Sequence, residues 1–281
     1  MIGAGQMGSG IAEVSAKAGA EVVVYEPTDE LITAGSKRIT ASLERMVSKG
    51  KLAESDRDAT LARLTFTTDL SDLWDRQLVI EAVVEDEAVK GKIFAALDEI
   101  IIDPDAVLAS NTSSIPIMKI AAATKNPSRV LGLHFFNPVP VLPLVELINT
   151  LVTSDEAVAR TEEFASGVLG KKVVRCGDRS GFIVNALLIP YLISAIRMYE
   201  EGFATREAID EGMKLGCGHP MGPLTLSDFI GLDVVAAVGY SLYDEFRRPE
   251  HAPPPLLRRM VSAGRLGRKS GHGFYEYQRR H

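Results

Sequence analysis

Apolar and polar positions follow two regimes along this chain. In the first, short apolar runs bounded by turn residues occupy 21–26, 77–83, 106–110, 129–134, 144–148 and 172–175. Each has the length and composition of a buried strand. Between them, apolar positions recur at helical spacing over 9–19, 29–50, 55–64, 86–101, 114–123 and 155–169. In the second regime strand-like runs stop, and helices are predicted over 182–201, 205–215, 225–247 and 254–263. Strands alternating with helices predict an α/β fold with a Rossmann-type, mostly parallel sheet covered on both faces. An all-helical C-terminal domain follows. Gly177, Asp178, Ser180 and Gly181 supply turn residues at the change. The expected domains are therefore 1–178 and 179–281.

The chain opens on Gly3-Ala4-Gly5-Gln6-Met7-Gly8, followed by a helix and then a strand that ends at Glu26. Gly3, Gly5 and Gly8 permit a tight turn, close approach of backbone to a phosphate, and close packing of the helix. The helix start, with Gln6 and Met7 in its first turn, offers free N–H groups and a positive dipole end to a pyrophosphate. A carboxylate at Glu26 accepts hydrogen bonds from the adenosine ribose and repels a 2′-phosphate. NAD is expected over NADP. Only Met1 and Ile2 precede the turn, whereas a strand usually has about five or six residues. A longer natural start, with more apolar residues upstream, is expected.

Composition narrows the class. The 281 residues are 46% apolar and 24% charged, with a formal charge of −6. No basic-aromatic cluster points to nucleic acid. Two cysteines, Cys176 and Cys217, lie far apart without metal-ligand spacing. No disulfide, no metal and a reduced, cytoplasmic setting are expected. The apolar stretch 182–198 carries Asn185, Pro190 and Arg197 and reads as a core helix, with no membrane contact expected. No secretory signal is visible.

Candidate chemistry centres on His134, which ends an apolar strand ahead of Phe135-Phe136-Asn137-Pro138. Glu146 stands within Leu144-Val145-Glu146-Leu147-Ile148, where an ionised carboxylate is costly unless paired. If 138–143 reverses the chain, Glu146 returns beside His134. It would then fix the imidazole tautomer while the ring moves a proton. An enzyme transferring a hydride to or from a bound dinucleotide follows, with His134 handling the proton. Ser110-Asn111-Thr112-Ser113-Ser114 follows a strand, where active-site loops lie in open parallel sheets. Ser113 or Ser114 is expected to cap the next helix. Asn185 either bonds nearby backbone or faces the substrate.

At these residues the chain resembles the L-3-hydroxyacyl-CoA dehydrogenase family, most closely its short-chain bacterial members acting on 3-hydroxybutyryl-CoA. The likeness runs essentially from end to end. Its marks are the glycine turn, Ala109 to Ser114, Gly132 to Pro138, Val145-Glu146-Leu147, Ser180 to Asn185, Pro220-Met221-Gly222-Pro223 and Gly271-His272-Gly273-Phe274-Tyr275. The resemblance implies a catalytic pair of His134 and Glu146. It places Ser113 and Asn185 against the substrate's 3-oxygen and thioester. It implies NAD contacts at Glu85, Lys90 and Asn111, substrate contacts at Ser42 and Lys49, and a homodimer. Arg45, Lys49 and Lys51 would give the helical excursion a positive face for coenzyme A phosphates. Glu26 departs from the aspartate usual in the family.

The implied reaction is reversible oxidation of an (S)-3-hydroxyacyl-CoA to the 3-oxoacyl-CoA in fatty-acid or butyrate metabolism. Two alternatives stay open. One is a dehydrogenase of a free hydroxy acid, such as a sugar acid or carnitine, which would leave the basic face idle. The other is a non-enzymatic dinucleotide-binding relative, which the His134–Glu146 pair argues against.

Overall fold

The computed structural model describes residues 1–278. The chain divides into two compact units, Met1–Arg179 and a second beginning at Ser180. In the first, the glycine turn runs straight into α1 (Gln6–Lys17), then β1 (Val22–Tyr25), α2 (Asp29–Ser48) and α3 (Glu54–Ala62). The helix expected over 55–64 stops early, because Leu64–Thr67 forms a strand, β2, that pairs parallel to β1. Its two threonines and short length leave no apolar run to read. β-Branched content and a four-residue apolar/polar alternation were its signals.

β3 (Leu78–Glu81), α4 (Glu87–Ile100), β4 (Val107–Ser110), α5 (Ile117–Ala121), β5 (Val130–Phe135), β6 (Leu144–Asn149), α6 (Asp155–Glu162) and β7 (Lys172–Gly177) complete the unit. Ile2 bridges in parallel to Tyr25 on one side and to Glu81 on the other. Its N–H donates to the Ile80 carbonyl at 2.9 Å, and its carbonyl accepts from the Ala82 N–H at 2.8 Å. The sheet therefore reads β2, β1, Ile2, β3, β4, β5, β6, β7, with the residue ahead of the glycine turn at its middle. β6 runs antiparallel to β5, and β7 runs parallel to β6.

β5 is buried along its whole length. Leu131, Leu133 and Phe135 join the core that α1 and α2 cover with Ile11, Ala12, Ile39 and Leu43. Because side chains alternate along a strand, Gly132 and His134 face the other way. There a Cβ on Gly132 would lie 2.9 Å from the Ile117 side chain and 3.0 Å from that of Ile148. The glycine lets α5 seat directly on the sheet beside His134.

The helix expected over 114–123 shrinks to α5, and neither Ser113 nor Ser114 caps it. The Asp178 carboxylate does, accepting from the N–H groups of Ile117 and Met118, both at 2.7 Å. Pro116 explains the late start, since it disfavours the helical conformation at Ile115. α6 runs on into a wider π-type turn over Glu163–Val168.

The second unit contains α7 (Val184–Glu200), α8 (Arg206–Cys217), α9 (Pro223–Ile230), α10 (Leu232–Phe246) and α11 (Pro255–Ser262). The helix expected over 225–247 is two helices, meeting at 96°. The break falls at Gly231, whose φ of 108° is a conformation other residues avoid. Two buried aspartates tie the unit together. Asp210 accepts from the N–H of Leu224 and from the Tyr275 hydroxyl, and Asp228 accepts from the N–H groups of Phe274 and Tyr275. A Cβ on Gly222 would sit 2.3 Å from Asp210, and one on Gly273 would sit 1.9 Å from Asp228. The glycine motifs near 222 and 273 thus serve packing. Among the described residues no single helix is long and apolar enough to cross a membrane.

One buried ion pair sets where β5 begins. Arg129 donates to the Asp98 carboxylate from Nε at 3.0 Å and from Nη2 at 2.8 Å, and also to the Asp98 and Asp103 carbonyls. Burial alone would raise the Asp98 carboxyl, but the Arg129 guanidinium and the Lys125 and Asn126 amides hold it below the usual range. Arg129→Met should leave that carboxylate buried without its cation. Urea unfolding at neutral pH should show a loss of about 3–5 kcal/mol. A loss under about 1 kcal/mol, the size of an exposed pair, would contradict this assignment.

Candidate active site

The glycine turn is shaped as its spacing predicts. Gly3 has φ 88°, and a Cβ on Gly8 would lie 2.0 Å from the Gly3 carbonyl oxygen. A Cβ on Gly5, the residue before α1, would meet nothing within 4 Å. Open space therefore lies above the free N–H groups of α1, which fits a pyrophosphate. Gln6 is exposed and Met7 half-buried in the first turn of that helix. Glu26 is buried at the end of β1, and its carboxylate accepts from the Ala4 N–H within the turn. The carboxylate is held beside the place a ribose would take. These residues fit NAD.

β5 and β6 pair so that His134 lies directly opposite Glu146. The 138–143 reversal expected from its prolines is present, starting from a cis Asn137–Pro138 bond. Lys171 secures it by donating to the carbonyls of Val139 at 2.6 Å and Leu142 at 2.8 Å. His134 Nδ1 is 2.8 Å from Glu146 Oε2, and the two side chains are 5% and 1% exposed. A carboxylate accepts, so the proton of the neutral ring belongs on Nδ1. That leaves Nε2 with its lone pair, 3.1 Å from the Ser113 hydroxyl. On the neighbouring strand, burial pushes the Cys176 thiol up to about 11, with Glu146 and Asp178 adding to the effect. It stays protonated.

The loop after β4 is organised by Glu85. One oxygen of that carboxylate accepts from the Thr112 hydroxyl at 2.6 Å, the Ser113 N–H at 2.9 Å, the Ser114 N–H at 3.1 Å and the Ser114 hydroxyl at 2.9 Å. The other lies 3.4 Å from the Lys90 ammonium. Burial raises the Glu85 carboxyl, but the Lys90 charge and the loop's donors overcome it and hold the group below its ordinary value. Asn111 is buried, and its carboxamide oxygen accepts from the Phe135 N–H at 2.8 Å, joining the ends of β4 and β5. Thr112 was not among the predicted site residues. Its hydroxyl also accepts from the Ile115 N–H at 2.9 Å.

His134, Glu146, Ser113, Asn111, Glu85 and Lys90 are thus joined at one end of the sheet. Asn185 stands in the second unit, half-buried in the first turn of α7. Ser42, on α2, lines a cavity of about 520 Å³ with Glu13, Lys37, Arg38 and Arg45. Lys49 is not part of that lining. It is exposed just past the end of α2, as Lys51 is beyond it. Of the expected basic residues Arg45 lines the cavity, where Lys37 and Arg38 join it, and Lys49 and Lys51 are exposed beyond it.

The arrangement can seat a dinucleotide over the turn and move a proton at an imidazole, the division of labour of a nicotinamide-dependent dehydrogenase. The model of the 3-hydroxyacyl-CoA dehydrogenase NAD-binding domain matches residues 1–179, and that of the family's C-terminal domain matches 181–277. The chain belongs to the 3-hydroxyacyl-CoA dehydrogenase family, NAD-dependent oxidoreductases. It is 70% identical to a 3-hydroxybutyryl-CoA dehydrogenase of Mycobacterium tuberculosis over 99% of this chain and 97% of that one. It is 43% identical to the human mitochondrial hydroxyacyl-coenzyme A dehydrogenase over 99% and 90%. A crystal structure of (S)-3-hydroxybutyryl-CoA dehydrogenase from Ralstonia eutropha superposes with TM-score 0.93 at 46% identity, covering 99% of this chain and 98% of that one.

A carboxyl held below its unfolded value stabilises the fold above the ordinary glutamate range, and that stability is lost as pH falls through the folded value. Glu85→Gln should therefore lower stability at neutral pH and narrow the gap to wild type on acidification. Urea melts of both chains across the acid range measure this. A constant gap would show that Glu85 is not the titrating anchor of the loop.

Proposed function

We propose that this enzyme interconverts an (S)-3-hydroxyacyl-CoA, with 3-hydroxybutyryl-CoA as its substrate, and the corresponding 3-oxoacyl-CoA. The observation that carries the reading is the Nδ1–Oε2 distance of 2.8 Å between His134 and Glu146. It leaves an unprotonated Nε2 at the open end of a mostly parallel sheet. Bound NAD supplies the hydride acceptor at the substrate's C3. His134 takes the C3 hydroxyl proton at Nε2 and returns it in the reverse direction. Glu146 keeps the imidazole in the Nδ1–H tautomer and offsets the positive charge the ring acquires. The Ser113 hydroxyl, with Asn185, donates to the substrate's oxygens as charge develops there. Glu85, Lys90 and Asn111 hold the nicotinamide end of NAD, and Glu26 takes the adenosine ribose. Ser42, with Arg45 beside it and Lys49 beyond, serves coenzyme A.

The second unit exposes Leu187, Phe203 and Leu215, each more than 70% accessible. We assign these side chains to a homodimer surface, and the enzyme to the cytoplasm.

His134→Gln should lower kcat by about 10²–10⁴-fold, the usual contribution of a general base, with NADH affinity unchanged. Near-normal turnover would overturn the assignment. Acetoacetyl-CoA should oxidise NADH where acetoacetate does not, and NADPH should be a poor substitute. Turnover of acetoacetate at a matching rate would instead favour a free hydroxy acid.

A further inference from the structure

A second buried charge pair sits beneath the candidate site. Glu81 ends β3 with no exposed surface, and the Lys90 side chain is 1% exposed. Glu81 Oε1 accepts from the Lys90 ammonium and from the Val83 N–H, both at 2.6 Å, and Oε2 accepts from the Ser110 hydroxyl at 2.7 Å. Withdrawing two ions from water costs several kcal/mol each, and a well-packed apolar pair often does as well or better. Stability alone is a weak reason for such a pair to be there.

Its connections supply a better one. From Glu81 the contacts run to Lys90, from Lys90 to Glu85 at 3.4 Å, and from Glu85 to the N–H of Ser113 at 2.9 Å. The Ser113 hydroxyl meets His134 Nε2 at 3.1 Å. Glu85 thus stands between two claimants, a buried cation on one side and the donors of the 112–114 loop on the other. At 2.6 Å Glu81 is the closer carboxylate to Lys90, so Glu85 stays turned to the loop.

We propose that Glu81 is a positioning residue for the reaction: by engaging the Lys90 ammonium it leaves Glu85 committed to the 112–114 loop, and so sets the Ser113 hydroxyl against His134. Neutralising Glu81 leaves Lys90 as a buried cation drawn to Glu85. Glu85 then shifts toward the lysine, and the loop loses the acceptor that four of its donors share. The inference rests on the roles proposed above for Ser113 and His134.

A kinetic cycle tests it, with acetoacetyl-CoA and NADH saturating and four chains compared: wild type, Glu81→Gln, Ser113→Ala and the double variant. Misplacing a group by about 1 Å can cost about 100-fold. Glu81→Gln should therefore lower kcat by about 10- to 100-fold, with KM for acetoacetyl-CoA held within about twofold. If Glu81 acts through Ser113, the same change made in Ser113→Ala should lower kcat by less than about twofold, because coupled sites are non-additive. An unchanged kcat in Glu81→Gln, or an equal loss in both backgrounds, overturns the proposal. Should Glu81→Gln fail to fold, Glu81→Asp keeps the charge but draws the carboxylate back from the Lys90 ammonium. Its loss should be smaller than that expected of Glu81→Gln and should likewise vanish without Ser113. Inactive wild type would instead sink the proposed function, so the two failures are distinct.

Discussion

A carboxylate buried within an apolar strand has to find a cation or a donor, and the site grows from how Glu146 does so. It is fully buried on β6, among Val145, Leu147 and Ile148, where an unpaired ion would cost several kcal/mol. The antiparallel register of β5 and β6 places His134 directly across from it. Opposed residues in such a pair have Cβ atoms only about 5 Å apart, so the imidazole can lie against the carboxylate without either strand distorting. The need to satisfy Glu146 holds the ring in one orientation and one tautomer. The remaining nitrogen is thereby aimed at the end of the sheet.

Everything else at that end of the sheet keeps the second nitrogen useful. Asn111 ties the ends of β4 and β5 together, and Glu85 gathers the loop that carries Ser113. Lys171 holds the reversal between β5 and β6, while at the far end of β5 Arg129 fixes its start through Asp98. The glycine turn lies in the same sheet, because Ile2 bridges both β1 and β3. A dinucleotide bound over that turn and a proton carrier on β5 are therefore placed by a single hydrogen-bonded framework.

Much of this was legible in the sequence because it rests on local pattern. The glycine spacing, the acidic end of β1 and the proline-bounded reversal after His134 are all written within a few residues. Glu146 was legible because a lone charge in an apolar run demands a partner. Glu81, in Leu78-Val79-Ile80-Glu81, posed the same demand and went unread, since its partner Lys90 lies on a helix and gives no strand-pairing hint. What stayed hidden depends on side chains reaching across the fold. Asp178 caps α5 from about sixty residues away, so the nearby serines were the natural but wrong choice. β2 was missed because four alternating residues are too short a signal, and parallel pairing with β1 is what makes them a strand. The break at Gly231 was missed because an isolated glycine inside a helical pattern is usually tolerated.

The central claim, that Glu146 dictates which nitrogen of His134 carries the proton, can be read directly by nitrogen-15 NMR of histidine-labelled protein at neutral pH. The account predicts a protonated Nδ1 with a strongly downfield proton, an unprotonated Nε2, and loss of that downfield proton in Glu146→Gln. A ring protonated on Nε2, or an Nδ1 proton indifferent to the loss of the carboxylate, would contradict it.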